Sequence, residues 1–178
     1  MFARTERLLL RPGWAEDAPA LARVIADEQV ARGLSSSPWL YRQEDVEAFL
    51  AAPRDPALPA FLITKRTDGA PRLIGSCGLS RRPSGAVELG YWIARPDWGR
   101  GFATEAAAAL VAIARTLKLP RLEASHFVDN PAAGRVLEKL GFVPTGLSAN
   151  RYSCVRGGQE AARLFRLRLI ERQDALAA

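Results

Sequence analysis

The chain has 178 residues, 48% hydrophobic and 25% charged, proportions that suit one globular domain of about residues 5 to 172 and exclude a disordered or fibrous chain. The net charge is +6, yet 22 of the 25 basic residues are arginines scattered from Arg4 to Arg172, which argues against a nucleic-acid stripe and for an anionic ligand or acidic partner. No apolar run reaches the roughly 18 residues of a membrane span and no signal-peptide core follows Met1, so a cytoplasmic protein without a membrane partner is expected.

Residues Arg7 to Pro12 alternate as a strand ended by proline. Asp17 precedes Ala18, Leu21, Ala22 and Ile25, a helical stripe that continues to a stop at Gly33. After a Ser-rich loop, Gln43 to Ala52 predicts a second helix. Strands at Ala60 to Arg66, Leu73 to Ser80 and Val87 to Ala94 are separated by the turn signals Asp68-Gly69 and Pro83-Ser-Gly85, so an antiparallel meander is expected. The turn Trp98 to Gly101 then opens an alanine-rich helix to about Leu117. A strand at Leu122 to Val128, a helix from Pro131 to Leu140 and strands around Phe142 to Thr145 and Arg163 to Glu171 complete the chain.

This order predicts one α/β (α+β) domain, with a mixed, largely antiparallel sheet of about seven strands and about four helices. The unit from Val87 to Val128 is strand, helix, strand, and is expected to be parallel and right-handed. Cys77 and Cys154 form neither a disulfide framework nor a metal-ligand pair, and His126 is the single histidine, so no metal is expected.

The chemistry concentrates in Trp98-Gly-Arg-Gly-Phe-Ala-Thr-Glu-Ala106. Gly99 and Gly101 can take positive φ and leave their amides bare, and the helix that follows adds its positive end, so phosphate or pyrophosphate is the natural occupant. A P-loop is excluded because Gly-Lys-Ser/Thr is missing, and a dinucleotide fingerprint because its third glycine place holds Thr104.

These residues resemble the acetyl-CoA pyrophosphate loop of the GNAT superfamily of N-acetyltransferases, Gln/Arg-x-x-Gly-x-Gly/Ala, with Gly101 and Ala103 in its last two places. Trp98 stands in the Gln/Arg place, as is usual in the branch resembling the ribosomal-protein N-terminal (Rim-type) acetyltransferases. Thr5-Glu-Arg-Leu-Leu-Leu-Arg-Pro12, Glu88-Leu-Gly-Tyr-Trp-Ile93 and Asn130-x-x-x-x-Arg135-Val-Leu-Glu-Lys-Leu-Gly-Phe142 are similar to that branch as well.

The resemblance implies a GNAT-like sheet whose strands Val87 to Ala94 and Leu122 to Val128 splay apart to take acetyl-CoA. The backbone of Ile93, Ala94 and Arg95 would pair with the pantetheine like an added strand. Amides from Gly99 through Arg100, Gly101, Phe102 and Ala103 to Thr104 would hold the pyrophosphate, with charge added by Arg100. Asn130 would bond the pantetheine arm and also cap the helix that starts at Pro131. Glu88 would take the proton of a primary amine, from a small molecule or a protein N-terminus, as that amine attacks the thioester. An N–H near Ile93 would stabilise the oxyanion.

One place departs from the family: the Ser three residues after the Asn is Ala133, with Tyr152, Ser125 or His126 as substitutes to serve the leaving thiolate. That departure keeps a second reading open, a non-catalytic acyl-CoA-binding or regulatory protein. A third, a nucleic-acid-binding domain, has only the charge in its favour, and no nucleic-acid partner is expected. The acceptor pocket is expected between the loop Arg32 to Arg42 and the terminal strands, with Trp39, Tyr41 and Trp92 lining it. The edge left by the last strand suits a monomer or a homodimer.

Overall fold

In the computed structural model, which describes residues 1–35 and 42–170, one sheet is built from β1 (Ala3–Arg4), β2 (Leu8–Arg11), β3 (Ala60–Lys65), β4 (Arg72–Arg81), β5 (Val87–Ile93), β6 (Arg121–Phe127), β7 (Val143–Ser153) and β8 (Gly158–Arg168). The helices are α1 (Ala18–Ile25), α2 (Glu28–Ala31), α3 (Gln43–Ala51), α4 (Phe102–Thr116) and α5 (Pro131–Lys139). The strands lie in the order β1-β2-β3-β4-β5-β6-β8-β7. All neighbours are antiparallel except β5 and β6, the pair that a crossover helix must join.

That parallel pair sets the architecture of the site. β4 and β5 stay in register from Gly75 opposite Ile93 to Arg81 opposite Val87, whereas β5 meets β6 only where Glu88 lies opposite Glu123. Beyond Leu89 the two strands diverge, which opens a gap in mid-sheet. One face of the sheet packs Leu8, Leu10, Ile63, Ile74, Leu89 and Leu122 against Phe102, Ala106, Leu110 and Ala114 of α4. Alanines on that helix stripe let α4 sit close to the strands. On the other face, Ala18, Leu21 and Ile25 of α1 and Val46 of α3 cover Leu62 and Leu73. That second cluster covers the β3–β4 half of the sheet and leaves the surroundings of Glu88 to polar side chains.

The mixed sheet with a splayed central pair agrees with the sequence reading; the counts differ. Eight strands replace about seven because the short β1 pairs with β2. Five helices replace about four because the stripe expected to run from Ala18 to Gly33 breaks after Ile25, where the Asp27 side chain accepts the Gln29 amide at 2.8 Å and starts α2. The terminal strands are also longer than expected. β7 and β8, of 11 residues each, form a hairpin closed by a turn in which Gly157 has φ 73°. No helix among the described residues is long and apolar enough to cross a membrane.

Candidate active site

The glycine-rich turn builds a cradle of unpaired donors. Gly99 and Gly101 have φ 73° and 80°, with Gly101 at the N-cap of α4. From Gly99 onward, the first amide to find a backbone acceptor is that of Glu105, which reaches the Gly101 carbonyl at 3.0 Å. The amides of Gly99, Arg100, Gly101, Phe102, Ala103 and Thr104 therefore have no backbone acceptor among the described residues. Six N–H groups, two left-handed glycines and a helix N-terminus make a concave donor surface suited to pyrophosphate.

Side chains fix this cradle from below. Glu105, in the first turn of α4, accepts the Thr5 hydroxyl, the Arg7 amide at 2.9 Å and the Arg7 guanidinium at 2.7 Å. Burial alone would raise the Glu105 carboxyl, but these hydrogen bonds outweigh it and hold it below its ordinary value. Arg7 also donates to the Arg100 carbonyl at 3.0 Å and lies over the Phe102 ring. Arg100 itself is mostly exposed, its guanidinium 4.0 Å from buried Asp97. Arg7 braces the cradle, a position that the motif Thr5-Glu-Arg7 signalled only as a family match.

Where β5 ends, the backbone is partly committed. The Ala94 amide bonds the Ile74 carbonyl of β4 at 2.7 Å. By the alternation of an antiparallel ladder, the amides of Tyr91 and Ile93 then face the gap toward β6. The carbonyls of Ile93, Ala94 and Arg95 are taken by the Trp98 indole at 2.6 Å, the Asp97 amide at 2.9 Å and the Trp98 amide at 3.2 Å. Trp98 thus ties the cradle to the strand.

Glu88 lies on the opposite face from α4 and is only 9% exposed. Its carboxylate accepts the Ser125 hydroxyl at 3.0 Å and pairs with Arg82 and, at 3.5 Å, with Arg151. Glu88, Glu123, Thr145, Leu147, Arg151 and Arg166 line a pocket there. Neither arginine was legible as a site residue, since one comes from the turn after β4 and the other from the hairpin strand β7.

At the head of α5, the Asn130 side chain accepts the Ala133 amide at 3.3 Å, so Asn130 is an N-cap. The Tyr91 hydroxyl donates to the Ala133 carbonyl at 3.0 Å, and burial pushes its phenol well above the ordinary range. The substitutes for the missing Ser are scattered: Ser125 serves Glu88, His126 turns its Nδ1 to the Phe127 carbonyl at 2.7 Å, and Tyr152 is exposed on β7. Trp92 packs against the α1–α3 cluster, while Trp39 and Tyr41 lie outside the described residues. Among the described residues, no group of three or more His, Cys, Asp or Glu side chains is arranged to hold a metal ion.

Known proteins share this fold. Residues 7–143 match the model of the acetyltransferase (GNAT) domain. The uncharacterized N-acetyltransferase p20 of Bacillus licheniformis is 32% identical over 150 residues, spanning 80% of this chain and 83% of that protein. A GNAT-family acetyltransferase from Bacillus anthracis superposes with TM-score 0.79 at 21% identity, over 96% of this chain and all of its own. The RimL ribosomal L7/L12 α-N-protein acetyltransferase, solved with coenzyme A, superposes with TM-score 0.77 at 16% identity over 95% of this chain and 98% of that one. With the family's loop, splayed strands and sequence carried through most of its length, the chain belongs to the GNAT family of N-acetyltransferases.

Proposed function

We propose that the chain, acting as one domain, transfers an acetyl group from acetyl-CoA to a primary amine by direct attack on the thioester. The observation that carries this reading is the six-amide cradle placed at the mouth of the gap between β5 and β6. A neighbour of the same fold was solved with coenzyme A, which supports the choice of anion. Acetyl-CoA supplies the activated acetyl group. The amides of residues 99–104 hold its pyrophosphate, with Arg7 and Arg100 adding charge. The Ile93 amide faces the gap as a donor for the carbonyl oxygen, and the Asn130 side-chain amide lies beside the path of the pantetheine.

Glu88 takes the proton that the amine must lose as the N–C bond forms and the C–S bond breaks. A thiol has an ordinary pKa near 8.5, so the departing thiolate does not demand a dedicated acid at position 133. The Tyr91 phenol is the side-chain hydroxyl held at that residue's carbonyl.

In a thiol-release assay, Glu88→Gln is expected to lower turnover roughly 10²-fold while leaving acetyl-CoA affinity unchanged, because Gln keeps the shape and cannot accept the proton. Turnover that ignores the substitution removes Glu88 from the mechanism. A second reading, binding of acyl-CoA without transfer, is favoured by the two arginines that already occupy Glu88 and by the missing hydroxyl at Ala133. It is the outcome if CoA binds in calorimetry and no amine yields free thiol.

A further inference from the structure

We infer that the acceptor amine carries a carboxylate a few bonds from its nitrogen. The inference rests on the acetyl-transfer reading above and names the substrate class of the same pocket. Glu88, the expected proton acceptor, is not free: Arg82 pairs with one carboxylate oxygen and Arg151 approaches the other at 3.5 Å. On the same pocket wall, Glu123 faces Arg166 at 3.6 Å and Arg121 at 4.0 Å. The strand register also brings Glu160 opposite Arg151, although no ion pair joins them. The charged residues lining the pocket balance, Glu88 and Glu123 against Arg151 and Arg166, and those paired with or opposite them, Arg82, Arg121 and Glu160, add a surplus of one positive charge beside it.

A polycationic amine meets repulsion there, and a neutral amine leaves the surplus uncompensated. An amine with a nearby carboxylate matches both signs at once. Its nitrogen is drawn to Glu88 and its carboxylate to a guanidinium. Arg151 is the partner placed to exchange, since it lines the pocket and its contact with Glu88 is the longer of the two. The Nε groups of Arg82 and Arg151 are buried with no hydrogen-bond partner among the described residues. Both guanidiniums therefore keep donor capacity that Glu88 does not use, and a carboxylate accepts from a guanidinium with two oxygens. Exchange of Arg151 from Glu88 to the acceptor would free one lone pair of Oε1, which still accepts from Ser125, for the amine proton, so that recognition of the carboxylate also readies the base.

The shared chemistry has two sources, a free amino acid and a peptide that begins with an acidic residue. Two isosteric pairs separate them in the thiol-release assay at fixed acetyl-CoA: alanine against alaninamide, and a peptide amide beginning with Asp against the same peptide beginning with Asn. In the pair that matches the source, the carboxylate member is expected to show kcat/KM higher by roughly 10- to 100-fold, the range for hydrogen bonds to charged groups. Arg151→Gln should bring that ratio toward one, and Arg151→Lys should recover part of it. The ratio in the unmodified protein needs no variant, so a variant that fails to fold leaves the test intact. Neutral members that react as well as the charged ones in both pairs overturn the inference while acetyl transfer stands. If no amine is acetylated, the acetyl-transfer reading falls instead. Calorimetry of N-acetylalanine against N-acetylalaninamide in the presence of CoA then decides: a preference for the carboxylate supports the site, and none overturns it.

Discussion

Gly134 shows how one missing side chain makes room for a buried neighbour. A Cβ built on it would sit 2.7 Å from Nε2 of His126, a ring held by its contact with the Phe127 carbonyl and packed 5.3 Å from Phe165. In a helix interior Gly→Ala normally stabilises by up to about 1 kcal/mol. Here that gain is outweighed by overpacking, which costs about 1–3 kcal/mol when neighbours cannot yield. Gly134→Ala is therefore expected to lower stability in chemical denaturation, and His126→Ala in the same chain should restore most of the loss. Equal stability of Gly134→Ala and the parent protein would mean that the ring moves aside freely. The pair also accounts for the single histidine without assigning it acid–base work.

At the scale of elements, the contact between loop and strand is the one to test. The Trp98 indole closes onto the Ile93 carbonyl at 2.6 Å, holding the cradle against the end of the strand that borders the gap. Trp98→Phe keeps the ring and removes the donor. An unmade hydrogen bond of this kind costs about 1–3 kcal/mol, so weaker CoA binding and faster hydrogen exchange of the Glu105 amide, the first in α4 to be hydrogen-bonded, are expected. Unchanged exchange and affinity would show that the cradle holds its shape without the indole. The elements differ in how legible they were. β3 to β5, α4 and α5 announce themselves through alternation, turn residues and the Gly101 and Asn130 caps. The break between α1 and α2 does not, because Ala22, Ala26 and Val30 keep apolar residues four apart across it. The β7–β8 hairpin was half missed because β7 is an edge strand, mostly exposed and polar, and alternation needs a buried face to be visible. The cradle was readable because its residues are contiguous. The arginines at Glu88 were not, since Arg82 and Arg151 meet only through the sheet.

Across the whole molecule, ion pairs brace segments at the margins of the apolar clusters, and this couples stability to pH. Glu105 ties the amino-terminal segment to α4 through Thr5 and Arg7. Asp17 holds Arg11 of β2 at 2.6 Å, and Asp129, after β6, holds Arg156 of the β7–β8 turn at 2.8 Å. Hydrogen bonds from Arg11 and Arg156 lower the carboxyls of Asp17 and Asp129, and those from Thr5 and Arg7 lower Glu105 against the opposing effect of burial. A carboxylate whose folded value lies below its unfolded one releases its proton more readily when folded. Its contribution is then complete above the unfolded value and disappears as pH falls through the folded one. The ordinary values are 3.8 for the aspartates and 4.5 for the glutamate. The melting temperature should therefore vary little from these three groups between pH 7 and about 5, and then fall as pH drops below that range. Glu105→Gln removes one of the three, and its melting temperature should lie below that of the parent at pH 7, with the gap narrowing on acidification. Parallel curves for the two proteins down to acid pH would show that Glu105 does not tie the amino-terminal segment to the cradle by charge.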